Sequence, residues 1–555
     1  MKINEENLKN RIEKIMLDFV AVRTDTNSVH ERNIKDFFKN WFADIPYFSE
    51  NENLRGFFHI PGDHLQRVVP WALLKGSGRD TVVLIHHYDI VDTKDYRHLE
   101  HLALDPPGLM QAYKKGEIEL SPQAKSDLDT GDWLFGRGVA DMKGGGAVHM
   151  ALFEEYTKAK DFKGNLLLIS VPDEENLSAG MLGAVHLLKE LKDEHNLNYG
   201  LMLDVEFHER EADGYAAYYN GSVGKVLPLV YVRGGMAHAS RVFEGLNPAR
   251  LLSEIIVQTE LNMDFTEKIG NTVSPPPTWL YAKDAKTVYD VSLPDVACGC
   301  MNILPLSRSP KEIMDMLQKI CEDSFEKLID NMNIAYEKWQ ILNEDSVKKL
   351  PWRVNVKHFS DLYNQAVKEH GEVFEKALES TNTDIRTKFF KNEISMIEGA
   401  NLIIKKTLEF VSDTSPIIVL ALIPPFYPCV HNNMLGEKAE KADDILAKAC
   451  EYTREELGEN CKVKTFFTGI TDLSYAMFTS EDNVIQYIEE NMLLWKSVYN
   501  IPLTLIKELS MPVLNIGPWA REIHKYTERV YLPDLYYKIP RVTDFIVKGM
   551  LNEEF

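Results

Sequence analysis

Five short segments of the chain contain the residue types that bind divalent metal ions in proteins. Each is weak evidence alone, since a histidine near a carboxylate is more often part of a buried hydrogen-bonded pair. Together they supply two histidines and at least three carboxylates, the donor set that suits two borderline cations. The segments are His87-Tyr88-Asp89, Gly136 to Gly146 around Asp141, Asp173-Glu174-Glu175, Leu203 to His208 with Asp204 and Glu206, and Gly517 to Glu528 with His524.

The spacing within these segments favours metal-assisted hydrolysis. His87 and Asp89 are two residues apart, so in an extended chain the carboxylate can accept one imidazole N–H and leave the other nitrogen for a metal. Five glycines surround Asp141 and allow the close backbone approach that suits a carboxylate bridging two cations. Two adjacent cations polarise a carbonyl group and generate hydroxide at neutral pH, and Glu174 is the candidate proton shuttle.

The glycine-flanked segment has an alternative interpretation. A glycine-rich loop before a helix can bind phosphate through its backbone N–H groups. Residues 136–146 contain neither G-x-x-x-x-G-K-[ST] nor G-x-G-x-x-G, so nucleotide binding is the weaker interpretation. A phosphoryl-handling enzyme is a third and weaker hypothesis, which an assay with phosphate esters would test.

Most of these segments follow predicted strands. Short apolar runs predict strands at 81–87, 165–172 and 199–204, and helical patterns predict helices at 146–158 and 177–194. Strands that alternate with helices are typical of βαβ units, whose ligands bind beyond the carboxyl ends of the strands. The sequence therefore predicts an α/β fold, a mostly parallel sheet with flanking helices, with the site at the strand ends.

The pattern changes near residue 216. From there a strand, a helix, a second strand and a second helix follow one another, which indicates a smaller α+β domain inserted into the first. We predict a catalytic, metal-binding α/β domain at residues 1–215 and 346–555. The inserted α+β lid domain is predicted at residues 216–345.

Composition and charge narrow the classes of function. The 555 residues include 62 Lys and Arg against 84 Asp and Glu, which gives a net charge of −22. That charge argues against a nucleic-acid or acidic-membrane partner, because phosphate requires a cationic surface. No apolar run approaches 18 residues, the N-terminus lacks the apolar core of a secretory signal, and six cysteines are too few for a disulfide scaffold. We therefore expect a cytoplasmic protein.

The order and spacing of the five segments resemble the M20 metallopeptidases, whose relatives include glutamate carboxypeptidase, succinyl-diaminopimelate desuccinylase, carnosinase and aminoacylase. The resemblance covers nearly the whole chain, and the length and motifs are most similar to the RocB-like, arginine-utilisation branch. It implies a zinc-peptidase-like catalytic domain with an inserted lid and dimerisation domain. It also implies two divalent cations, Zn²⁺ first with Mn²⁺ or Co²⁺ as alternatives, and a small-molecule or short-peptide substrate.

The resemblance also implies roles for individual residues. Glu174 would be the general base and acid, and Asp89 would orient His87. Glu206 stays open as an alternative to Asp204, since it lies two residues on and on the same side of an extended chain. The implied ligands are Asp141 as the bridge between the metals, His87 with Asp204 at one metal, and Glu175 with His524 at the other.

A sixth match lies in the predicted lid. The segment Gly234 to Ser240 resembles the family's lid signature, in which a histidine reaches the substrate carbonyl oxygen, so His238 would stabilise the developing oxyanion. The stretch that holds a substrate carboxylate in many relatives is altered here, whether it corresponds to Val291 to Pro294 or to Asn302 to Pro305. Recognition of a free carboxylate, and with it ordinary carboxypeptidase or dipeptidase activity, is therefore not implied. Relatives include lid-mediated homodimers and monomers.

Two other classes of function are stronger hypotheses than the phosphoryl-handling enzyme. The first is a dinuclear metal-dependent hydrolase that cleaves an amide or peptide bond of an N-acyl amino acid, a short peptide or an arginine-related amide. The second is a non-catalytic, metal-dependent binding or sensor protein with the same fold. The intact base position at Glu174 favours the enzyme.

Overall fold

The computed structural model describes residues 4–159, 161–210, 214–286 and 290–552. The chain forms two compact units. The first consists of Met1–Val223, Val430–Thr479 and Pro502–Phe555, and the second of Gly224–Cys429 and Ser480–Ile501.

Within the described residues the strands follow one another along the chain with these bounds: β1 (Arg55–His59), β2 (Val68–Lys75), β3 (Asp80–His87), β4 (Trp133–Phe135), β5 (Asn165–Val171), β6 (Asn198–Asp204), β7 (Ala216–Tyr219), β8 (Gly221–Ser222), β9 (Lys225–Arg233), β10 (Lys268–Ile269), β11 (Thr272–Val273), β12 (Thr278–Asp284), β13 (Val296–Asn302), β14 (Val356–His358), β15 (Ile417–Tyr427), β16 (Val430–His431), β17 (Cys461–Lys464), β18 (Val513–Asn515), β19 (Ala520–Arg521) and β20 (Arg529–Tyr531).

The α-helices are α1 (Glu5–Val20), α2 (Ile34–Ala43), α3 (Tyr47–Glu50), α4 (Pro106–Lys114), α5 (Pro122–Thr130), α6 (Lys143–Tyr156), α7 (Ala179–His195), α8 (Pro248–Thr259), α9 (Pro310–Leu342), α10 (Phe359–His370), α11 (Glu372–Phe390), α12 (Met396–Leu408), α13 (Glu440–Glu455), α14 (Asp482–Asn491), α15 (Leu503–Leu509) and α16 (Ile539–Leu551). No helix in the described part of the chain has both the length and the apolar character needed to cross a membrane.

The first unit is built on an eight-stranded sheet with the order β1-β2-β5-β3-β6-β18-β7-β17. β3 pairs in parallel with both β5 and β6, and β18 pairs in parallel with β6. β5 is buried along its whole length, and β3 is buried from its second residue onward, as expected for parallel strands covered by helices on both faces. The predicted α/β fold with a largely parallel central sheet is confirmed.

The second unit is built on a five-stranded sheet with the order β12-β13-β9-β15-β14. Its strand pairs are antiparallel except for β14 with β15. Apolar side chains of β9, β13 and β15 form one core with the helices α10, α11 and α12. The helices α10 and α11 are separate, because Gly371 adopts a positive φ of 52° between them.

The second unit is larger than the inserted domain that the sequence predicts. It begins at residue 224 rather than 216, and it also contains residues 346–429 and 480–501, which the prediction assigned to the first domain. The physical reason is the pairing of β15, which runs antiparallel to β9 from Ile417 to Tyr427. The apolar run of β15 looks like a buried strand of either sheet, so the sequence does not reveal which sheet it joins.

Candidate metal centre

Four of the five predicted ligands converge at one edge of the central sheet in the first unit, together with Glu206, the alternative to Asp204. His87 is the last residue of β3, Glu174 and Glu175 follow the end of β5, and Glu206 follows the end of β6. Because these three strands are parallel neighbours, their carboxyl ends lie side by side. The remaining two predicted ligands come from elsewhere: Asp141 precedes α6, and His524 lies in the turn between β19 and β20.

His87 forms a fully buried group with two carboxylates. Its Nε2 lies 3.0 Å from Asp141 Oδ1 and 3.3 Å from Glu206 Oε1. Its Nδ1 lies 3.1 Å from the main-chain carbonyl oxygen of Asp89, to which only a protonated nitrogen can donate. When the ring is neutral its proton is therefore on Nδ1, and the lone pair of Nε2 is available to a metal ion held between it and the carboxylates.

His524 forms a second, more open group on the other side of Asp141. Its Nε2 lies 3.0 Å from Asp141 Oδ2 and 2.9 Å from Glu175 Oε1. The His524 side chain is 45% exposed, whereas that of His87 is 0% exposed. The two oxygens of Asp141 thus face two different histidines, which is the geometry of a carboxylate that bridges two cations.

The donor set fits divalent metals. In each of three groups, the ligand atoms all lie within 4.8 Å of one another, close enough to surround one ion. Imidazole with carboxylates suits zinc, and the same set accepts manganese or cobalt. The groups are His87 with Asp141 and Glu206, Asp141 with Glu175 and His524, and His87 with Glu174 and Glu175.

The electrostatics of the centre show an excess of buried negative charge. Burial raises the pKa of Glu206 well above its usual value, and the negative charge of Asp141 raises it further. Hydrogen bonds to Asp141 and Glu175 raise the pKa of His524 to about 10. Burial lowers the pKa of His87, but its bonds to carboxylates outweigh that effect, so the pKa is raised. Bound cations would supply positive charge at the same place and would compete with protons for the histidine nitrogens.

Asp89 connects His87 to the acidic turn, which consists of Asp173, Glu174 and Glu175. Its Oδ1 accepts the N–H of Glu174 at 3.1 Å, its Oδ2 accepts the N–H of Glu175 at 3.2 Å, and its Oδ1 lies 3.5 Å from His87 Nδ1. The predicted orienting contact therefore extends to the turn that carries Glu174. Burial raises the pKa of Glu174 well above its usual value, and the neighbouring charge of Glu175 adds to it. A carboxyl with a raised pKa is suited to exchanging protons near neutral pH.

The sequence left Asp204 and Glu206 as alternatives for one ligand. Asp204 is absent from the ligand groups found among the described residues, whereas Glu206 belongs to one of them. Asp204 is the last residue of β6, its Oδ1 accepts the N–H of Val205 at 2.8 Å, and burial raises its pKa to about 7. Glu206, two residues further on, makes the contact with His87.

His238 lies in the second unit, immediately before a 3₁₀ turn at Ala239–Glu244, and it is exposed. Its Nδ1 accepts the N–H of Ser240 at 3.2 Å. The neutral ring therefore has its proton on Nε2, the form that can donate to an oxyanion. Its part in the reaction stays a prediction.

Two buried arginines support the centre and were not predicted. Arg137 NH1 donates to Glu528 Oε2 at 2.6 Å, and both residues are buried. Arg67 NH1 lies 2.6 Å from Asp173 Oδ1, and Asp173 itself has a positive φ of 68° directly before Glu174. The structural role of these charged residues is recognisable only from their burial, because an arginine or an acid is usually exposed.

Comparison with known proteins agrees with this architecture. Residues 115–480 match the profile of Peptidase family M20/M25/M40. The chain is 30% identical over 552 residues to the Bacillus subtilis (strain 168) protein YqjN, covering 98% of this chain and 97% of that protein. The chain therefore belongs to peptidase family M20/M25/M40, and the predicted metallohydrolase class is confirmed.

Two further similarities are informative. The chain is 28% identical over 551 residues to the Bacillus subtilis (strain 168) protein RocB, covering 97% of this chain and 94% of that protein. A solved structure of an M20 family metallo-carboxypeptidase, Sso-CP2 from Sulfolobus solfataricus, is 10% identical with a TM-score of 0.53, covering 98% of this chain and 99% of that one. At that identity the structural match shows the shared fold alone.

Proposed function

We propose that this protein is a dinuclear metal-dependent amidohydrolase that cleaves an amide or peptide bond of a small substrate. One observation carries the proposal: Asp141 Oδ1 lies 3.0 Å from His87 Nε2, and Asp141 Oδ2 lies 3.0 Å from His524 Nε2. The residues that would hold the two ions are His87, Asp141 and Glu206 at the buried position, and Asp141, Glu175 and His524 at the open one.

The chain's own residues have distinct parts in this reaction. Two divalent cations at these positions would polarise the scissile carbonyl group and lower the pKa of water between them. Glu174 takes the proton of the attacking water and returns it to the leaving amine, so that it is unchanged at the end of the cycle. Asp89 keeps Glu174 and Glu175 in place through their N–H groups. His238 donates from Nε2 to the developing oxyanion.

The substrate we propose is an N-acyl amino acid, a short peptide or an arginine-related amide, and Zn²⁺ is the metal we expect. The six cysteines are all free thiols, which is compatible with the reducing cytoplasm that we propose as the location. A homodimer through the predicted lid domain, residues 216–345, remains a prediction.

Metal content and amide turnover test the proposal together. Protein purified without chelators and without a metal-binding tag should contain about two equivalents of zinc, manganese or cobalt per chain. A panel of N-acyl amino acids, short peptides and arginine amides should give turnover that a chelator abolishes. Glu174→Gln is the matched control, because it should keep the metals and lose turnover.

The outcomes separate the alternatives. Near-zero metal even after reconstitution would contradict a dinuclear centre. Two bound metals with no turnover of any amide would instead favour the non-catalytic binding or sensor protein.

A further inference from the structure

Glu528 is a buried acid whose carboxylate bonds to the loop that carries Asp141. Its Oε1 accepts the N–H of Gly138 at 2.7 Å and the N–H of Ala140 at 3.3 Å. Its Oε2 accepts the guanidinium of Arg137 at 2.6 Å. The three residues that donate to the Glu528 carboxylate thus lie one to four positions before Asp141, the proposed bridging ligand.

The charge of Glu528 is balanced by the buried guanidinium of Arg137. Arg137 is 1% exposed, donates to Asp95 Oδ1 at 3.0 Å, and lies 5.4 Å from the centre of the Tyr96 ring. The main chain is also tied in place, because Gly136 N–H donates to the carbonyl oxygen of Glu528 at 3.1 Å. A buried, paired and fully bonded carboxylate holds its partners rigidly.

The same residue is connected to His524 by a tight turn. Glu528 N–H donates to the carbonyl oxygen of Lys525 at 2.8 Å, and Lys525 N–H donates to that of Glu522 at 3.2 Å. His524 lies inside this turn with a positive φ of 60°. A residue other than glycine holds that conformation only where its surroundings enforce it. The side chain of Glu528 thus joins two loops that are distant in sequence, each of which delivers one ligand.

We propose that Glu528 is a positioning residue that sets the separation of Asp141 and His524, and with it the affinity of the metal position that these two residues form with Glu175. The inference rests on the proposed function, since it concerns metal binding. Glu528 itself is outside the ligand groups of the described residues. Its bonds end on the main chain of the Asp141 loop and on the Arg137 side chain, so it acts on the metals through the ligands that it places.

The decisive variant is Glu528→Gln. The amide keeps the size of the carboxylate but replaces one acceptor oxygen with an NH₂ group. That group must face either the N–H groups of Gly138 and Ala140 or the guanidinium of Arg137, so a donor meets a donor in either orientation. The matched control is Glu154→Gln. Glu154 accepts two hydrogen bonds from Arg11 at 2.7 Å and one from Trp41 at 2.6 Å, and lies on α6 away from both loops.

The experiment is a titration of the full-length, metal-free protein with Co²⁺, followed by calorimetry and by the visible absorption of the bound ion. We expect wild type and Glu154→Gln to bind two equivalents with similar affinities. Glu528→Gln should bind one equivalent with an affinity near that of wild type and the other about 10- to 100-fold more weakly, as for other residues that support metal ligands. Its cobalt spectrum at saturation should also change, because the geometry around His524 is altered.

The melting temperature of each metal-free variant distinguishes positioning from general stability. If Glu528→Gln lowers the melting temperature but binds both equivalents with wild-type affinities and spectrum, the role is structural and the inference is wrong. If wild type itself binds no metal, the proposed function fails and the inference fails with it. If Glu528→Gln does not fold, Arg137→Lys decides: it keeps the positive charge beside Glu528 but loses the contact with Asp95, and it should weaken one equivalent without changing the other.

Discussion

Replacing Asp89 with asparagine should weaken metal binding and turnover by one to two orders of magnitude. The carboxylate of Asp89 accepts two N–H groups of the acidic turn, one on each oxygen, at 3.1 and 3.2 Å. Asparagine has one acceptor oxygen, so either Glu174 or Glu175 loses its acceptor and faces an NH₂ group. His87 Nδ1 also loses a negative charge that lies 3.5 Å away.

The size of the effect follows from the bond that is lost. A hydrogen bond to a charged group contributes about 1.5–3 kcal/mol. Since about 1.36 kcal/mol corresponds to a tenfold change, the expected loss is about 10- to 150-fold. That interval agrees with the roughly 10- to 100-fold loss typical of residues that orient metal ligands.

Competition with a chromophoric chelator would measure the metal affinity, and kcat/KM on the best amide would measure turnover. Asp105→Asn is the matched control, because Asp105 accepts the N–H of Gly108 at the start of α4 and asparagine caps a helix equally well. If Asp89→Asn stays within about twofold of wild type in both measurements, then the turn does not depend on Asp89 and the reasoning from these bonds is wrong.

Three further predictions concern individual residues of the metal centre. Glu206→Gln should lower metal content measured by elemental analysis, whereas Asp204→Asn should leave it close to wild type; the opposite result would restore Asp204 as the ligand. Glu174→Gln should keep the metals while kcat falls about 10²- to 10⁴-fold, and an unchanged kcat would exclude Glu174 from proton transfer. In metal-free protein the pKa of His524 is raised from 6.5 to about 10, so its stabilisation is present below pH 6.5 and is lost as the pH rises through 10. The melting temperature of metal-free wild type should therefore fall over that range more than that of His524→Ala, and equal falls would contradict this assignment.

The sequence was sufficient to predict a candidate ligand where that residue lies in a short segment with a distinct local pattern. His87 with Asp89, Asp141 among glycines and the Glu174-Glu175 pair are all recognisable within a few residues. Most of them also follow an apolar run that the sequence already marks as a strand. The structure brings these residues together because parallel strands end at the same edge of the sheet.

The sequence was insufficient to predict a contact that depends on the folded position of a residue or on a partner that is distant in the chain. Asp204 and Glu206 point to the same side of an extended chain, so only the contact in the folded protein shows that Glu206 lies against His87. Glu528 and Gly138 are 390 residues apart, and no local pattern connects them. The sheet to which β15 belongs is likewise decided by its pairing with β9.

The order of strands in the first unit has a consequence for the biosynthesis of the protein. β18, at Val513–Asn515, lies between β6 and β7 in the sheet, although both of those strands are made hundreds of residues earlier. Until β18 leaves the ribosome, the inner edges of β6 and β7 lack their partner, and unpaired strand edges promote association with other chains. His524 emerges later still. The metal centre is therefore completed only after residue 524 has been made, and the inner edges of β6 and β7 stay unpaired for most of the time before that.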